Sequence, residues 1–276
     1  MLLTSNLQHQ LSPASLLHYQ ALVTQVLQRL HALPKPAVVG ISGAQGSGKS
    51  TLAAELVAQL QQQGVKAATV SLDDYYLSKA LRQQLALAIH PLLAQRGVPG
   101  THDIARAIAD AQAVLAGDEV SLPQFDKALD EPVAALPAQQ LDVLIVEGWC
   151  LGVAPQTAAE LAVPVNALEA SEDTDGSWRR YVNSQLAGLY ADYWQLLKPL
   201  NWLKAPDWAC VCRWRAKQEQ QFLRERGQGM TEAELARFML PFQRLTLASW
   251  QQLPNGADLV VSLNENQQAV DLMSPQ

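Results

Sequence analysis

The sequence has few cysteines, and it lacks the long uninterrupted apolar runs that mark membrane proteins. Its three cysteines, Cys150, Cys210 and Cys212, are too few and too clustered for a disulfide framework. The Cys210-x-Cys212 pair is expected to lie within one strand, and a metal site there is not expected. No stretch reaches the ~18 apolar residues that a membrane-spanning helix needs. We therefore expect a cytoplasmic protein without a membrane partner.

Basic residues are also in short supply. The chain has 20 Lys and Arg residues against 26 Asp and Glu, so its formal net charge is −6. A protein whose main partner is nucleic acid would show a basic face, and we expect no nucleic-acid partner here. The 276 residues are 49% hydrophobic, which is enough for one sizeable α/β core. Composition leaves the oligomeric state open.

A glycine-rich phosphate-binding motif is the most specific feature of the chain. Residues Gly43 to Ser50 read GAQGSGKS and match the pattern G-x-x-x-x-G-K-[ST] at every defined position. An apolar run ending at Ile41 precedes the motif, and a helix-forming stretch, 52–63, follows it. Glycines let successive N–H groups converge on phosphate oxygens, and the helix N-terminus favours the same anion. The predicted nucleotide-binding residues are Gly43, Ala44, Gln45, Gly46, Ser47, Gly48, Lys49, Ser50 and Thr51.

Two residues of the motif have distinct predicted roles. Lys49 would reach the β- and γ-phosphates, and the Ser50 hydroxyl would ligate Mg²⁺. The alternative is a glycine-rich turn without a ligand, and the flanking strand and helix argue against it. The sequence thus predicts a bound nucleoside triphosphate and Mg²⁺.

Segments typical of strands and helices alternate along the chain. The predicted strands are 37–42, 66–72, 142–146, 208–212 and 257–263, with a short extended segment at 120–125. The predicted helices are 12–32, the motif helix that begins near Lys49, 103–116, 178–197, 213–226 and 231–253. This alternation predicts parallel crossovers and a doubly wound, mainly parallel sheet with flanking helices. An N-terminal amphipathic helix and linker, 1–35, would precede a P-loop NTPase-type domain, 36–276.

Acidic residues follow two of these strands at the edge where ligands bind in such sheets. Asp73 and Asp74 come directly after the second strand, where a carboxylate could accept the proton of a substrate hydroxyl or hold Mg²⁺ through water. Glu147 ends a buried apolar strand and is predicted to face the metal. The structural alternatives are a turn or helix-cap aspartate and a glutamate exposed at a strand end.

A polar helix near the C-terminus is a candidate lid. It carries four arginines: Arg213, Arg215, Arg224 and Arg226. Arginines there could close over ATP and spread the charge of the transferring phosphoryl group. A solvated helix face explains most of them equally well, since Glu219 and Glu225 lie nearby. We expect one or two of the arginines to act on the nucleotide.

Several short segments, in a fixed order, resemble the P-loop kinase family of D-glycerate 3-kinase, which is related to uridine kinase, phosphoribulokinase and bacterial pantothenate kinase. These segments are GISGAQGSGKST, SLDDYYL, RGVPGTHD, LPQFDKA and IVEGWCLG. The resemblance covers about residues 36–265, and the order of its segments is far more specific than the phosphate loop alone. It implies a substrate-binding insertion at about 77–135 and a helical lid at about 213–230.

The resemblance also implies an activity, the transfer of the ATP γ-phosphate to a hydroxyl of a small metabolite, D-glycerate or a similar hydroxy acid. It implies that Asp73 is the catalytic base, that Lys49 holds the phosphate, and that Ser50 and Glu147 anchor Mg²⁺. Arg215 and Arg224 would act from the lid. The implied acceptor-side residues are Asp73, Tyr76, His102, Asp103, Asp126 and Lys127. By pattern alone, His102 is a structural histidine and Asp103 a helix cap.

The sequence departs from the family pattern next to the acceptor-side residues. Phe125 stands where a tyrosine is expected, and Ala128 where a serine often follows the lysine. Both departures remove hydroxyl groups that could bind a substrate.

The sequence leaves two alternatives open. One is a kinase of another alcohol, such as uridine, pantothenate or a phosphoribulose. The other is a nucleotide-switch ATPase or GTPase that signals and phosphorylates no metabolite. A guanine-specific GTPase would carry an N-K-x-D signature, and the sequence contains none.

Overall fold

The computed structural model describes residues 13–226 and 229–274. Within these stretches the α-helices are α1 (Pro13–Ala32), α2 (Lys49–Gln62), α3 (Lys79–Ala88), α4 (Ile104–Ala116), α5 (Ala158–Ala162), α6 (Ala167–Glu172), α7 (Ser177–Leu186), α8 (Leu189–Leu196), α9 (Trp208–Arg226) and α10 (Glu232–Gly256). Two short 3₁₀ helices lie at Leu72–Tyr75 and Pro91–Ala94. Residues 227 and 228 of the predicted lid, and residue 12 of the predicted first helix, fall outside the described residues.

The strands form one large sheet and two small ones. They are β1 (Ala37–Gly43), β2 (Ala67–Ser71), β3 (Glu119–Val120), β4 (Gln124–Asp126), β5 (Glu131–Val133), β6 (Gln139–Gln140), β7 (Val143–Gly148), β8 (Leu200–Lys204), β9 (Leu259–Leu263) and β10 (Ala269–Met273). The large sheet has the order β10-β9-β8-β1-β7-β2. All neighbours in it are parallel except β10 and β9, which are antiparallel. The predicted mainly parallel, doubly wound sheet is confirmed.

Helices cover both faces of the large sheet, which is why its central strands are apolar along their whole length. Every residue of β1 and of β7 is buried. Successive β1 residues point to opposite faces, so Val38 belongs to the buried cluster that includes α4 and α8, whereas Val39 belongs to the cluster that includes α1 and α2. The strands are therefore held from both sides, and their carboxyl ends are fixed at one edge.

One predicted strand is wrong. Residues 208–212 begin helix α9, and the strand of this region is β8, just before it in the chain. The Asp207 carboxylate accepts a hydrogen bond from the backbone N–H of Cys210, as a helix cap does. Cys210, Val211 and Trp214 are buried in α9, and a short apolar run such as 208–212 does not by itself distinguish a strand from a buried helix. Cys210 and Cys212 therefore lie in a helix and not in a strand.

Other elements also differ from the prediction. The single helix at 178–197 is divided into α7 and α8 at Gly188, whose backbone is not helical. The extended segment at 120–125 is divided between β3 and β4, which belong to separate two-stranded sheets. Strand β10, which pairs with the predicted last strand, was not predicted.

Helix α1 packs against the sheet. Its buried residues Leu22, Val23, Val26, Leu27 and Leu30 share a cluster with Ile41 of β1 and Leu56 of α2. No helix in residues 13–226 and 229–274 is long and apolar enough to cross a membrane.

Candidate active site

A cavity of about 350 Å³, called the main cavity here, opens at the carboxyl edge of the sheet. It brings together residues from the phosphate loop, the ends of β2 and β7, the turn after β4, and helices α9 and α10. The residues predicted from the sequence that line it are Gln45, Gly46, Lys49, Ser50, Asp73, Tyr76, Lys127, Glu147 and Arg215. Parallel pairing explains the convergence, because Glu147 of β7 lies level with Ile41 of β1 and Ser71 of β2.

The phosphate loop leaves the start of helix α2 without a side-chain cap. Gly48 precedes the helix with a φ of 87°, and no side chain caps the helix N-terminus. The first N–H groups of α2, at the positive end of the helix dipole, are therefore suited to binding an anion. Gly46 also has a positive φ, 77°, and a Cβ there would lie 2.6 Å from the Cβ of Trp214 on α9. The loop thus depends on glycine for its conformation and for its contact with α9.

Ser50, Lys49 and Glu147 form a group suited to a divalent cation. The Ser50 hydroxyl donates a hydrogen bond to Oε1 of Glu147 at 2.8 Å, and the Lys49 ammonium lies 3.8 Å from Oε2. Glu147 is buried, and among the described residues its Oε2 has no hydrogen-bond partner. A buried carboxylate oxygen in that state is costly unless a cation faces it, so the residues fit Mg²⁺. No cluster of three or more His, Cys, Asp or Glu occurs in the described residues, and further oxygen ligands would come from phosphate and water.

Asp73 lies across the main cavity from this group, in the 3₁₀ turn that follows β2. Its Oδ1 accepts a hydrogen bond from the Tyr76 hydroxyl at 2.8 Å, and its Oδ2 accepts one from the Lys127 ammonium at 2.7 Å. Burial alone would raise the pKa of Asp73, but the charge and hydrogen bond of Lys127, with help from Lys49 and Tyr76, lower it to about 2. Asp73 is therefore ionised at neutral pH.

The neighbouring Asp74 has a structural place. Its Oδ2 accepts a hydrogen bond from the backbone N–H of Ser71 at 2.9 Å, within a capping box that starts the 3₁₀ turn. Burial raises the pKa of Asp74. The pair of acidic residues thus divides into one that lines the main cavity and one that shapes the turn.

Arg96 lines the main cavity and was not predicted. Its guanidinium forms an ion pair with Asp130, lies over the Phe125 ring at 5.5 Å, and donates a hydrogen bond to the Lys127 carbonyl at 3.2 Å. These partners come from a different part of the chain, so no local sequence pattern predicts that Arg96 lies at the cavity. The only signal was its place in the segment RGVPGTHD. Trp149, Gln218, Phe238 and Phe242 also line the cavity without having been predicted.

His102 lies behind the wall of the main cavity. Its ring stacks on Tyr76 with centroids 4.5 Å apart, and its Nδ1 lies 2.7 Å from the Tyr190 hydroxyl. Burial lowers the pKa of His102 to about 4 although Asp73 opposes the shift, so the ring is neutral at physiological pH. Its predicted contact with the acceptor stays a prediction.

Asp103 and Asp126 both support local backbone. Asp103 is the N-cap of α4 and accepts a hydrogen bond from the Arg106 N–H at 3.1 Å. Asp126 accepts hydrogen bonds from the N–H groups of Ala128 and Leu129 in the turn after β4. Neither lines the main cavity, and their roles in acceptor binding stay predictions.

The two lid arginines occupy different environments. Arg215 lines the main cavity, pairs with Glu219 at 2.7 Å and lies over the Phe238 ring at 5.5 Å. Arg224 is exposed and donates a hydrogen bond to the Gln220 carbonyl on its own helix. Arg215 lines the main cavity with Lys49 and Arg224 does not, and the predicted roles of both arginines stay predictions.

A second cavity of about 230 Å³ lies on the other side of the phosphate loop. Gly46, Ser47, Gly48 and Thr51 of the loop line it, with Leu52, Leu203 and Leu263 as apolar walls. Residues 266–268, between β9 and β10, also line it, together with Ala269 at the start of β10, Gln218 of α9, and Tyr19 and Leu22 of α1.

Comparison with known proteins first identifies the phosphate-loop region. A family model described as methylmalonyl Co-A mutase-associated GTPase MeaB matches residues 11–76. This stretch runs from α1 through the phosphate loop to the turn after β2. It is less than half of the chain. The match therefore concerns only the region of the phosphate loop and carries no argument about which nucleobase is bound.

Longer matches are to kinases. The uncharacterized kinase mug58 of Schizosaccharomyces pombe is 32% identical over 237 residues, which are 80% of this chain and 84% of that protein. The chloroplastic D-glycerate 3-kinase of Arabidopsis thaliana is 26% identical over 264 residues, 85% of this chain and 54% of that protein. The solved structure of D-glycerate 3-kinase from Cryptococcus neoformans superposes with a TM-score of 0.73 at 24% identity and covers 95% of this chain and 99% of that one. The last match establishes a shared fold.

Proposed function

This chain belongs to the D-glycerate 3-kinase-like family of P-loop kinases, and on that basis we propose that it transfers the γ-phosphate of ATP to a hydroxyl of D-glycerate or a similar hydroxy acid. Membership makes the protein a small-molecule kinase, an ATP-dependent phosphotransferase. The observation that carries the proposal is the position of Asp73, which faces Lys49 and Glu147 across one cavity. A nucleotide switch has no need of a carboxylate placed to accept a proton from an alcohol.

The nucleotide would bind along the phosphate loop. The uncapped N-terminus of α2 offers its N–H groups to the triphosphate, and Lys49 would hold the transferred phosphate. We assign the base to the second cavity, whose walls of Leu52, Leu203 and Leu263 suit an apolar ring. Mg²⁺, when bound to Ser50 and Glu147, would neutralise charge on the phosphate oxygens.

The transfer needs only a small set of side chains. Asp73 would accept the proton of the acceptor hydroxyl as its oxygen bonds to the γ-phosphorus, and the bond to the bridging oxygen breaks to release ADP. Lys49 and Arg215 would stabilise the negative charge on the phosphoryl group as it moves. The proton on Asp73 then passes to solvent.

The proposal is tested by ADP release from MgATP across four acceptors: D-glycerate, pantothenate, uridine and ribulose 5-phosphate. We expect D-glycerate to stimulate ADP release most, and Lys49→Ala to abolish the stimulation. Preference for another member of the panel would reassign the acceptor and leave the kinase chemistry in place. Slow ATP hydrolysis that no acceptor stimulates would contradict the proposal and favour a nucleotide switch.

A further inference from the structure

The charges that line the main cavity divide unevenly between its two ends. The cationic side chains are Lys49, Arg96, Lys127 and Arg215, and the anionic ones are Asp73 and Glu147. Under the proposed function, the triphosphate and its metal engage Lys49, Arg215 and Glu147. Arg96 and Lys127 then lie with Asp73 at the acceptor end. Among the residues that line that end, two cations accompany one carboxylate, and Asp130, which is not part of the lining, pairs with Arg96.

Lys127 is held loosely at this end. Its ammonium touches only one carboxylate among the described residues, Asp73 at 2.7 Å, while 61% of its side chain is exposed. Ion pairs with that much exposure contribute little stability. The long lysine side chain can therefore exchange one carboxylate partner for another at low cost.

Arg96 is held firmly in comparison. Asp130 pairs with its guanidinium, and the Phe125 ring lies beneath it. Its hydrogen bond to the Lys127 carbonyl also fixes the backbone from which the lysine side chain extends. Arg96 is thus a fixed cation, and Lys127 a movable one attached beside it.

The Lys127 contact weakens Asp73 as a base. Burial would by itself raise the pKa of Asp73, and Lys127 is the strongest of the groups that lower it. The other groups that face this carboxylate are Lys49 and Tyr76, which stabilise its charged form, together with Asp74, His102 and Cys150. Removal of Lys127 from Asp73 would therefore raise the proton affinity of the carboxylate.

We propose that the acid group of the acceptor draws the Lys127 ammonium away from Asp73 and so frees the carboxylate to accept the hydroxyl proton. This inference rests on the proposed kinase function and deepens it, because it names the residue that recognises the acid group and links that contact to the catalytic carboxylate. The proton moves from the hydroxyl to Oδ2 of Asp73, the oxygen that accepts a hydrogen bond from the Lys127 ammonium in the free protein. A neutral alcohol would leave the lysine in place and meet a carboxylate of low basicity.

The test compares D-glycerate with its neutral amide, D-glyceramide, which keeps both hydroxyls and loses the charge. With the wild-type protein we expect kcat/KM to be higher for the acid. In Lys127→Met, kcat/KM for the acid should fall about 10- to 100-fold, the value of a lost charge-assisted hydrogen bond, while kcat/KM for the amide should not fall. The acidic limb of the pH profile with the amide should move to higher pH in the variant, because the pKa of Asp73 rises without Lys127.

The control is Lys79→Met, which removes an exposed lysine outside the main cavity. This variant should change kcat/KM neither for D-glycerate nor for D-glyceramide. Equal ATP affinity and thermal midpoint in both variants will show that folding and the nucleotide site are intact. If wild type phosphorylates D-glycerate and Lys127→Met does so equally well, or loses acid and amide activity by the same factor, the inference is wrong and the proposed function stands. If wild type binds MgATP but phosphorylates neither compound, both are wrong.

Discussion

At the scale of single residues, the two adjacent carboxylates after β2 offer a direct test of the chemistry. Asp73→Asn keeps the size of the side chain and removes its ability to accept a proton, so turnover should fall about 10²-fold or more. MgATP should still bind, because the phosphate loop and Glu147 are unchanged. Steady-state kinetics and nucleotide titration measure the two effects separately.

The matched control is Asp74→Asn, one residue along the chain. Asp74 accepts the Ser71 N–H in the capping box and does not line the main cavity. Its replacement should lower the thermal midpoint and leave turnover within a few-fold of wild type. Full turnover in Asp73→Asn would remove Asp73 from the role of base.

His102 should make the stability of the fold depend on pH. Burial lowers its pKa from 6.5 to about 4 in the folded state. Between these values the unfolded chain binds the proton and the folded one does not, so stability is lost as pH falls from 6.5 toward 4. The shift of roughly 2.5 pKa units corresponds to about 3 kcal/mol at most.

His102→Gln should flatten the pH dependence of the free energy of unfolding over this window, as measured by urea unfolding at several pH values. An unaltered slope in His102→Gln would show that the ring takes up a proton in the folded state as easily as in the unfolded one.

Several of the residues that line the main cavity could be identified from local pattern, whereas Tyr76 and Lys127 were implied only by the family resemblance. Lys49 and Ser50 follow from a motif with fixed spacing, and Asp73 and Glu147 follow from the rule that parallel strands end at one edge. Arg96 could not be found in that way, since its partners lie some thirty residues away at the turn after β4. Only the folded chain shows the contact.

The departure at Phe125 also has a physical reading at this scale. The ring is buried, with Tyr76 at 5.4 Å on one side and the Arg96 guanidinium at 5.5 Å. It is absent from the lining of the main cavity. Phe125 therefore supports Tyr76 and Arg96 from behind.

At the scale of elements, the contact between the phosphate loop and α9 explains the glycine at position 46. Gly46→Ala would add strain from the positive φ and would force a Cβ to within 2.6 Å of Trp214. We expect a loss of stability larger than the roughly 1 kcal/mol of a left-handed alanine alone, together with weaker MgATP binding. Chemical denaturation and nucleotide titration measure the two losses.

Gly64→Ala separates the two causes. Gly64 has nearly the same φ, 79°, and an added Cβ would meet nothing within 4 Å. This variant should show the backbone strain alone and bind MgATP normally. Equal losses in the two variants would show that α9 yields to the added methyl group.

The errors in element assignment have a common origin in short windows. The short, continuous apolar run 208–212 fits a strand as well as the first turn of a helix, and the burial of Trp214 one turn later is what favours α9. Gly188 marks the division between α7 and α8. The prediction gave more weight to the aromatic-rich helical pattern on both sides of this glycine. Strand β10 has a half-exposed pattern typical of an edge strand, and its pairing with β9 is a tertiary fact.

At the scale of the whole molecule, the sheet is held between two buried clusters, and α1 belongs to one of them. Strands β1 and β7 contribute alternate residues to both clusters, so the carboxyl edge that carries the main cavity is fixed from both faces. Tyr19 and Leu22 of α1 also line the second cavity. The helix therefore contributes to the core at one end and to the proposed base site at the other.

Leu30 offers a test of whether α1 unfolds with the rest of the chain, in contrast to the predicted boundary at residue 35. Leu30 is 0% exposed within the cluster that includes β1 and α2. Leu30→Ala should cost about 2–5 kcal/mol of the free energy of unfolding, as large-to-small changes in a core do. Gln28→Ala, on the exposed side of α1, should cost little.

In urea, tryptophan fluorescence and far-UV circular dichroism should give one coincident transition for both variants, because α1 shares its core with the sheet. An early transition that leaves MgATP binding intact would instead mark α1 as a separately folding segment, and the base site would then have to be formed without Tyr19.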